Sequence, residues 1–182
     1  MTVTIWHTAK GAISRKVSGL FAAMRRAPEG GAPLVPLPRL RAVPLAPFER
    51  DGLRAALRKS GLPSDDLGEA GPLFWRFETE DDVPAGFGGL EIHGADAVLR
   101  SVVTLPPRRR SGFGRAIVAT IEQEAKLRGC RAIYLLATDT SYFWRLGYTA
   151  VRHGAVPHTV QASRQFLLQK SKDAEPMMKP LA

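Results

Sequence analysis

The chain has 182 residues, 45% hydrophobic and 24% charged, a composition typical of a globular protein. No apolar run reaches the roughly 18–20 residues that a membrane-spanning helix needs, so we expect no membrane insertion. The only cysteine, Cys130, excludes an internal disulfide and favours a reducing compartment, for which we take the cytoplasm. A formal net charge of +9 favours an anionic partner: nucleic acid, anionic lipid or a phosphorylated cofactor.

Two segments precede the main domain. Residues 1–32 carry one strand pattern, VTIWH, and one helix pattern, SRKVSGLFAAMRR, which are too little for a core of their own. Their charges follow a short apolar stretch, the reverse of a secretory signal. Residues 33–47 carry five prolines, which predicts an extended linker and argues against a helix or a central strand. The main domain is predicted over 48–182.

Helix and strand patterns alternate through the main domain. Leucines at helical spacing predict a first helix, strict alternation predicts an antiparallel meander, and a continuous apolar run predicts a strand covered on both faces. Together they predict a mixed α/β sheet. In chain order the elements are a helix ended by Gly61, strands at 72–78, 85–93 and 96–105, a helix ended by Gly129, a strand at 132–138, a short helix at 141–147, a strand at 148–153, a helix at 159–169 and a last edge strand at 176–181.

The densest positive charge stands between strand 96–105 and the next helix, in the pattern Arg109-x-x-Gly112-x-Gly114. A helix start offers unpaired N–H groups and the positive end of the macrodipole, and glycines let its backbone approach phosphate oxygens. Arginines crowded at this start would repel one another without an anion. The pattern therefore predicts a pyrophosphate site, and a tight turn with a solvated basic rim is the alternative.

Two familiar phosphate motifs are excluded. A Walker loop ends in Gly-Lys-Ser/Thr, whereas this chain has Gly114-Arg115-Ala116. A dinucleotide fingerprint needs three glycines and an acid after the next strand, and both are missing.

The stretch VVTLPPRRRSGFGRAIVATIEQEAKLRGCRAIYLLAT resembles the acetyl-CoA-binding core of the GNAT superfamily of N-acetyltransferases, and SYFWRLGY is similar to the short helix that follows there. The resemblance covers 48–152 and implies a mainly antiparallel sheet with a splayed parallel strand pair, flanked by helices. Arg110 and Ser111 depart from the pattern, since Gly and a basic residue are common there. Phe143 stands where a tyrosine often does.

Four stretches, SGLPSDDLGE, FGGLE, LRSVVTLP and FWRLGY, resemble the arsenic-resistance N-acetyltransferase branch. This implies an arsenic-containing or glutamate-mimicking amino acid as substrate, and a role in detoxification. Residues 1–22 resemble the start of a thioredoxin-fold arsenate reductase, with Gly11 at the place of the catalytic cysteine. We interpret them as a relic without reductase activity.

The GNAT resemblance implies acetyl-CoA as cosubstrate and no metal. It places the pyrophosphate at the helix start and the pantetheine arm along the end of strand 96–105, where a backbone N–H would stabilise the oxyanion. The residues assigned to acetyl-CoA are Val103, Thr104, Leu105, Arg109, Arg110, Ser111, Gly112, Phe113, Gly114, Arg115 and Phe143.

The acceptor amine must be neutral to attack, and Glu91 is the candidate base, because small neighbours on its strand face leave room for a ligand. The alternative is a plain ion pair between Glu91 and Arg100 on the next strand. Arg100 and Ser101 either orient the substrate or serve the structure. Tyr142 or Tyr148 would protonate the leaving thiolate, although Tyr148 also fits a core position.

Other reactive side chains are given no catalytic role. Cys130 lies about fifteen residues after the helix start, roughly 22 Å away at ~1.5 Å per residue, so it is predicted to be a buried structural thiol. His93, His153 and His158 are assigned to the surface.

The sequence predicts an acetyl-CoA-dependent N-acetyltransferase acting on a small amine, without a nucleic-acid or membrane partner. A catalytically silent coenzyme A-binding protein is the first alternative, because the usual tyrosine is missing. A nucleic-acid-binding module, suggested by the charge, is the second. Whether two copies form a homodimer stays open.

Overall fold

A seven-stranded sheet organises the computed structural model, which describes residues 36–108, 111–169 and 174–181. The strand order is β1-β2-β3-β4-β5-β7-β6, and β4–β5 is the parallel pair among antiparallel neighbours. The predicted mixed, mainly antiparallel sheet is confirmed. The strands are β1 (Arg41–Pro44), β2 (Leu73–Glu78), β3 (Pro84–His93), β4 (Asp96–Thr104), β5 (Ala132–Ala137), β6 (Thr149–Ala150) and β7 (Glu175–Pro180).

Helices cover both faces of this sheet. They are α1 (Asp51–Lys59), α2 (Phe113–Leu127), α3 (Thr140–Trp144), α4 (His158–Gln161) and α5 (Arg164–Gln169), with single 3-10 turns at Pro47–Glu49, Pro106–Arg108 and His153–Ala155. None of the helices in the described ranges is long and apolar enough to cross a membrane.

The largest core lies between α2 and one face of the sheet. Helix α2 buries Ile117, Val118, Ile121 and Ala125 there, which confirms the apolar face predicted from helical spacing. Gly88 in β3 allows the helix to approach, since a Cβ at this glycine would stand 2.5 Å from the Ile121 side chain. The opposite face packs on α1 and, further along the sheet, on α4 and α5.

Strand β1 lies inside 33–47, the segment predicted to be a linker. It pairs with β2 at the edge of the sheet, where no other described strand lies on its far side and a proline such as Pro44 costs no interstrand hydrogen bond. Leu45, directly after it, is buried beside α1. The sheet therefore starts seven residues before the domain boundary expected at residue 48.

Three predictions near the end of the chain need correction. The strand expected at 148–153 is reduced to two residues, and the helix expected at 159–169 is two short helices, α4 and α5. Strand β7 is not at the edge, because it pairs with β5 on one side and β6 on the other. Pro176 and Pro180 lie outside the short stretch that pairs with β6.

Removing residues 1–45 should destabilise the domain, whereas removing residues 1–35 should leave its melting temperature close to that of the full chain. The longer deletion takes β1 and Leu45 away and uncovers the edge of β2. Loss of one buried leucine alone is worth about 1.5–3 kcal/mol, or several degrees in a domain of this size. Thermal melts followed by circular dichroism test this, and equal melting temperatures for the two truncations would contradict it.

Candidate functional site

The start of α2 is preceded by a left-handed glycine and lacks a side-chain cap. Gly112, the residue before the first turn, has φ 79° and ψ −6°, a left-handed conformation that favours glycine. Neither a side-chain cap nor an acidic residue in the first turn neutralises the helix start. The first amides of a helix have no partner within it, so they are available to phosphate oxygens.

Basic side chains surround this start. Arg108 precedes it and stacks on the Phe113 ring at 5.7 Å, and Arg115 lies on the first turn of α2. Arg109 and Arg110, also predicted to contact phosphate, lie outside the described residues.

Gly114 brings α2 against β4 and α3. A Cβ at this glycine would lie 2.8 Å from the Tyr142 hydroxyl and 3.2 Å from the Thr104 hydroxyl, so a larger residue would fill the space between them. The Tyr142 hydroxyl is buried and has no hydrogen-bond partner among the described residues. Burial raises the pKa of Tyr142 to about 12, although the charges of Arg145 and Arg115 act in the opposite direction. The phenol therefore keeps its proton at neutral pH.

Strands β4 and β5 separate after three residue pairs. The parallel pairing runs from Asp96–Ala132 to Val98–Tyr134, and beyond it the strands diverge. On the other side of β4, Gly88 stands opposite two residues, Ser101 and Val102, which is a β-bulge. Ser101 takes a left-handed φ of 54° at this bulge. The predicted splayed pair is thus present, and its opening lies at the α2 end of the sheet.

The alternating hydrogen bonds between β3 and β4 determine which backbone groups at the end of β4 point into this opening. The Leu105 amide donates to the Ala85 carbonyl at 2.9 Å, and Val103 pairs with Phe87 two residues earlier. In an antiparallel ladder the residue between two such pairs directs its amide and carbonyl to the other side. The backbone groups of Thr104 therefore face the β5 side, where the strands have separated.

Arg100 contacts two carboxylates, Asp66 and Glu91, in a buried charge network on the sheet face opposite α2. Its Nη1 lies 3.2 Å from Glu91 Oε2, and its Nη2 binds the Asp66 carboxylate. The ion pair between Glu91 and Arg100, the alternative to a catalytic Glu91, is confirmed. With both ends of its guanidinium occupied and 4% of its side chain exposed, Arg100 is poorly placed to bind a substrate directly.

Glu91 and His93 line a cavity of about 310 Å³ on this same face. His93 Nε2 lies 3.0 Å from Glu91 Oε1. The other walls come from the loop around Glu69 and from α4 and α5, where Ser163 and Arg164 contribute. The surface role expected for His93 is wrong, because its side chain is mostly buried in this cavity.

The remaining predicted residues are core or turn residues. Phe143 and Tyr148 are 2% and 1% exposed, and their rings meet edge to face at 5.6 Å. Burial raises the pKa of Tyr148 well above its ordinary value. Cys130 is buried, as predicted, and burial raises the pKa of its thiol. Of the two candidate tyrosines, Tyr142 is the half-buried one, and its hydroxyl lies next to Gly114 at the start of α2.

Sequence reasoning missed two members of the charge network. Asp66 reaches Arg100 across 34 residues of chain, and no local pattern reveals that pair. His93 could have been found, because residues two apart on a strand share a face and Glu91 was already a candidate. Within the described ranges, no cluster of three or more His, Cys, Asp or Glu side chains could hold a metal ion.

Comparison with protein families gives one match: residues 39–148 fit the model of the acetyltransferase (GNAT) family. No curated protein sequence matches the chain.

Solved structures share the fold at low sequence identity. Rv2747 from Mycobacterium tuberculosis, in complex with CoA and NLQ, is 19% identical with a TM-score of 0.59, over 80% of this chain and 100% of that one. A GNAT-family acetyltransferase from Staphylococcus aureus is 15% identical with a TM-score of 0.61, over 79% of this chain and 100% of that one. N-acetylglutamate synthase from Neisseria gonorrhoeae, complexed with coenzyme A and N-acetyl-glutamate, is 17% identical with a TM-score of 0.62. The similarity covers 79% of this chain and 35% of that one. At these identities the similarity establishes the fold alone.

The three tyrosines of this chain should all ionise above the ordinary range. Burial raises the pKa of Tyr134, of Tyr142 to about 12, and of Tyr148. The folded state thus favours the neutral phenols, so the free energy of unfolding should fall as the pH rises above about 10, where unfolded tyrosine ionises. Phenolate absorbance measured during alkaline titration should appear later in the native than in the denatured protein.

Tyr142→Phe should remove the component with a midpoint of about 12 from the native titration curve. Superimposable native and denatured curves would show that these hydroxyls are in water.

Proposed function

Because the chain belongs to the acetyltransferase (GNAT) family, we propose that it is an acetyl-CoA-dependent N-acetyltransferase acting on a small amine or amino acid. The observation that carries the proposal is the start of α2, where left-handed Gly112 and uncapped amides face the end of the opened β4–β5 pair. Complexes of the structural neighbours with CoA support the choice of cosubstrate.

The residues around this opening suit the parts of coenzyme A. We assign the pyrophosphate to the backbone of Ser111–Arg115 and to the flanking arginines, including Arg109 and Arg110. The pantetheine arm is assigned to the backbone of Val103–Leu105, with the Thr104 amide as the donor that faces the opening. The buried hydroxyl of Tyr142, lacking a partner in the described parts of the chain, is our candidate for protonating the departing sulfur.

Acetyl-CoA supplies an acetyl thioester, and the chain supplies positioning and proton transfer. We place the acceptor in the cavity lined by Glu91, on the sheet face opposite α2. The resemblance to the arsenic-resistance branch supports an arsenic-containing or glutamate-mimicking amino acid as that acceptor. The single, buried Cys130 thiol agrees with the cytoplasm as the compartment.

A coenzyme A-binding protein without catalysis is the second candidate, and the burial of Phe143 at the usual tyrosine position favours it. Transfer assays separate the two functions, because both bind the cosubstrate and only the enzyme consumes it.

Acetyl-CoA should raise the melting temperature by several degrees, because a ligand at about 100 times its Kd stabilises the native state by about 2.7 kcal/mol. Release of free thiol should then be measured with L-glutamate, a phosphinate analogue of glutamate and an arsinate analogue. We expect turnover of at least one of them. A raised melting temperature without turnover would favour the silent binding protein, and an unchanged melting temperature would remove both candidates.

Arg109→Ala should weaken acetyl-CoA binding about ten- to a hundredfold, through loss of one charge-assisted contact of about 1.5–3 kcal/mol. Gly112→Val should weaken it more, since a branched side chain would crowd the phosphate turn. The left-handed φ of 79° also makes valine strained there, by about 1–2 kcal/mol. Calorimetric titration measures binding, and circular dichroism measures the fold.

Arg131→Ala is the matched control, because this exposed arginine follows the opposite end of α2. It should bind acetyl-CoA like the parent. Parental affinity in both Arg109→Ala and Gly112→Val would show that the motif is only a turn.

A further inference from the structure

Glu91 and His93 form a side-chain pair on the floor of the 310 Å³ cavity. They lie two residues apart in β3 and therefore share a face of the sheet. Their polar atoms, His93 Nε2 and Glu91 Oε1, are 3.0 Å apart, and the two side chains are 16% and 14% exposed. Both groups are thus held in one place and can still be reached from the cavity.

Glu91 itself is a poor proton acceptor. The hydrogen bond from His93 lowers the pKa of Glu91, and the charges of Arg100 and His93 act in the same direction, against the effect of burial. Its second oxygen already lies 3.2 Å from Arg100 Nη1. A carboxylate stabilised in its ionised form holds its charge at neutral pH and takes up a proton weakly.

We propose that His93 accepts the proton of the substrate ammonium and that Glu91 is the positioning residue that holds the imidazole. This rests on the proposed function and corrects the assignment of the base to Glu91. His93 Nε2 lies 3.0 Å from Glu91 Oε1, and in the tautomer that carries its proton on Nε2 the neutral ring has Nδ1 left to take another. A carboxylate behind an imidazole fixes its tautomer and stabilises the imidazolium that forms.

Charged side chains face His93 from β4, from the loop around Glu69 and from α5. From β4, Arg100 binds Glu91 and Asp66, and Asp96 is the register partner of His93 across the hairpin. From the loop and α5, Glu69 and Arg164 pair at 3.2 Å.

The proton balance is complete with this assignment. An ammonium substrate gives one proton to the neutral imidazole, and its nitrogen lone pair forms the C–N bond to the acetyl carbonyl carbon. The C–S bond breaks with its electron pair going to sulfur, which takes its proton from the Tyr142 hydroxyl. The second proton lost from nitrogen then restores the Tyr142 phenol. The imidazolium then returns its proton to water. The products are the acetamide and the free thiol of coenzyme A.

The test compares two acceptors in the full chain: L-glutamate, whose amine is protonated at pH 7, and hydroxylamine, whose nitrogen is neutral there. His93→Gln keeps a hydrogen bond to Glu91 and cannot take up a proton. Its kcat/KM with L-glutamate should fall about 100-fold, the low end for loss of a general base. The acidic limb of its pH profile should vanish, and turnover of hydroxylamine should change little.

Two further variants distinguish loss of the proton acceptor from a structural effect of replacing His93. Added imidazole should restore turnover to His93→Ala, since it can occupy the vacated space as a free base. His158→Gln, an exposed histidine in α4, should keep the parental pH profile. Acetyl-CoA affinity should be unchanged in all three variants, because neither His93 nor His158 is among the residues assigned to the cosubstrate.

A His93→Gln enzyme that keeps its acidic limb and its turnover of L-glutamate would overturn this inference and leave the proposed function standing. Failure of the parent protein to acetylate either amine would overturn the inference together with the proposed function. Equal losses with both amines would show that His93 shapes the cavity without taking a proton, which also overturns the inference.

Discussion

The architecture depends on the parallel pairing of β4 and β5 stopping after three residue pairs. A full ladder would place β5 alongside the end of β4 as well. The bulge at Ser101 turns β4 away while keeping it in register with β3, because the extra residue is absorbed opposite Gly88. The separated strands and the start of α2 then meet at one place, where backbone polar groups face outward without a neighbouring strand.

The two faces of the sheet carry different electrostatics. Next to α2, Arg108, Arg115 and Arg145 surround an uncapped helix start, which concentrates positive potential where the backbone is accessible. On the other face the charges are paired: Arg100 holds Asp66 and Glu91 in a buried network. Burying such a network is costly unless each charge has a partner, so the network fixes its members in position. The uncapped helix start with its basic neighbours and the paired charge network thus lie on opposite faces of one sheet.

Features with a local signal could be predicted from the sequence. The periodicity of Ile117 and Ile121 predicted α2, and the apolar run at 132–138 predicted β5 with its limits nearly correct. Features that depend on partners far along the chain could not be predicted. An edge strand was expected at 176–181, yet the position of β7 is decided by its pairing with β5 and β6. In the site, the glycines of the α2 turn and the Glu91–Arg100 pair were predicted, whereas Asp66 and the approach of Tyr142 to Gly114 depend on tertiary packing.

The place of β7 between β5 and β6 has a consequence for synthesis on the ribosome. Strand β5, with the sequence AIYLLA, emerges about forty residues before the strand that covers its edge. During that interval an apolar edge with unsatisfied amides and carbonyls is exposed in the nascent chain. The growing polypeptide therefore passes through a stage in which a second nascent chain or a chaperone could bind where β7 will later insert. Completion of the sheet is a late, long-range event, and such pairing folds slowly because the loop must close first.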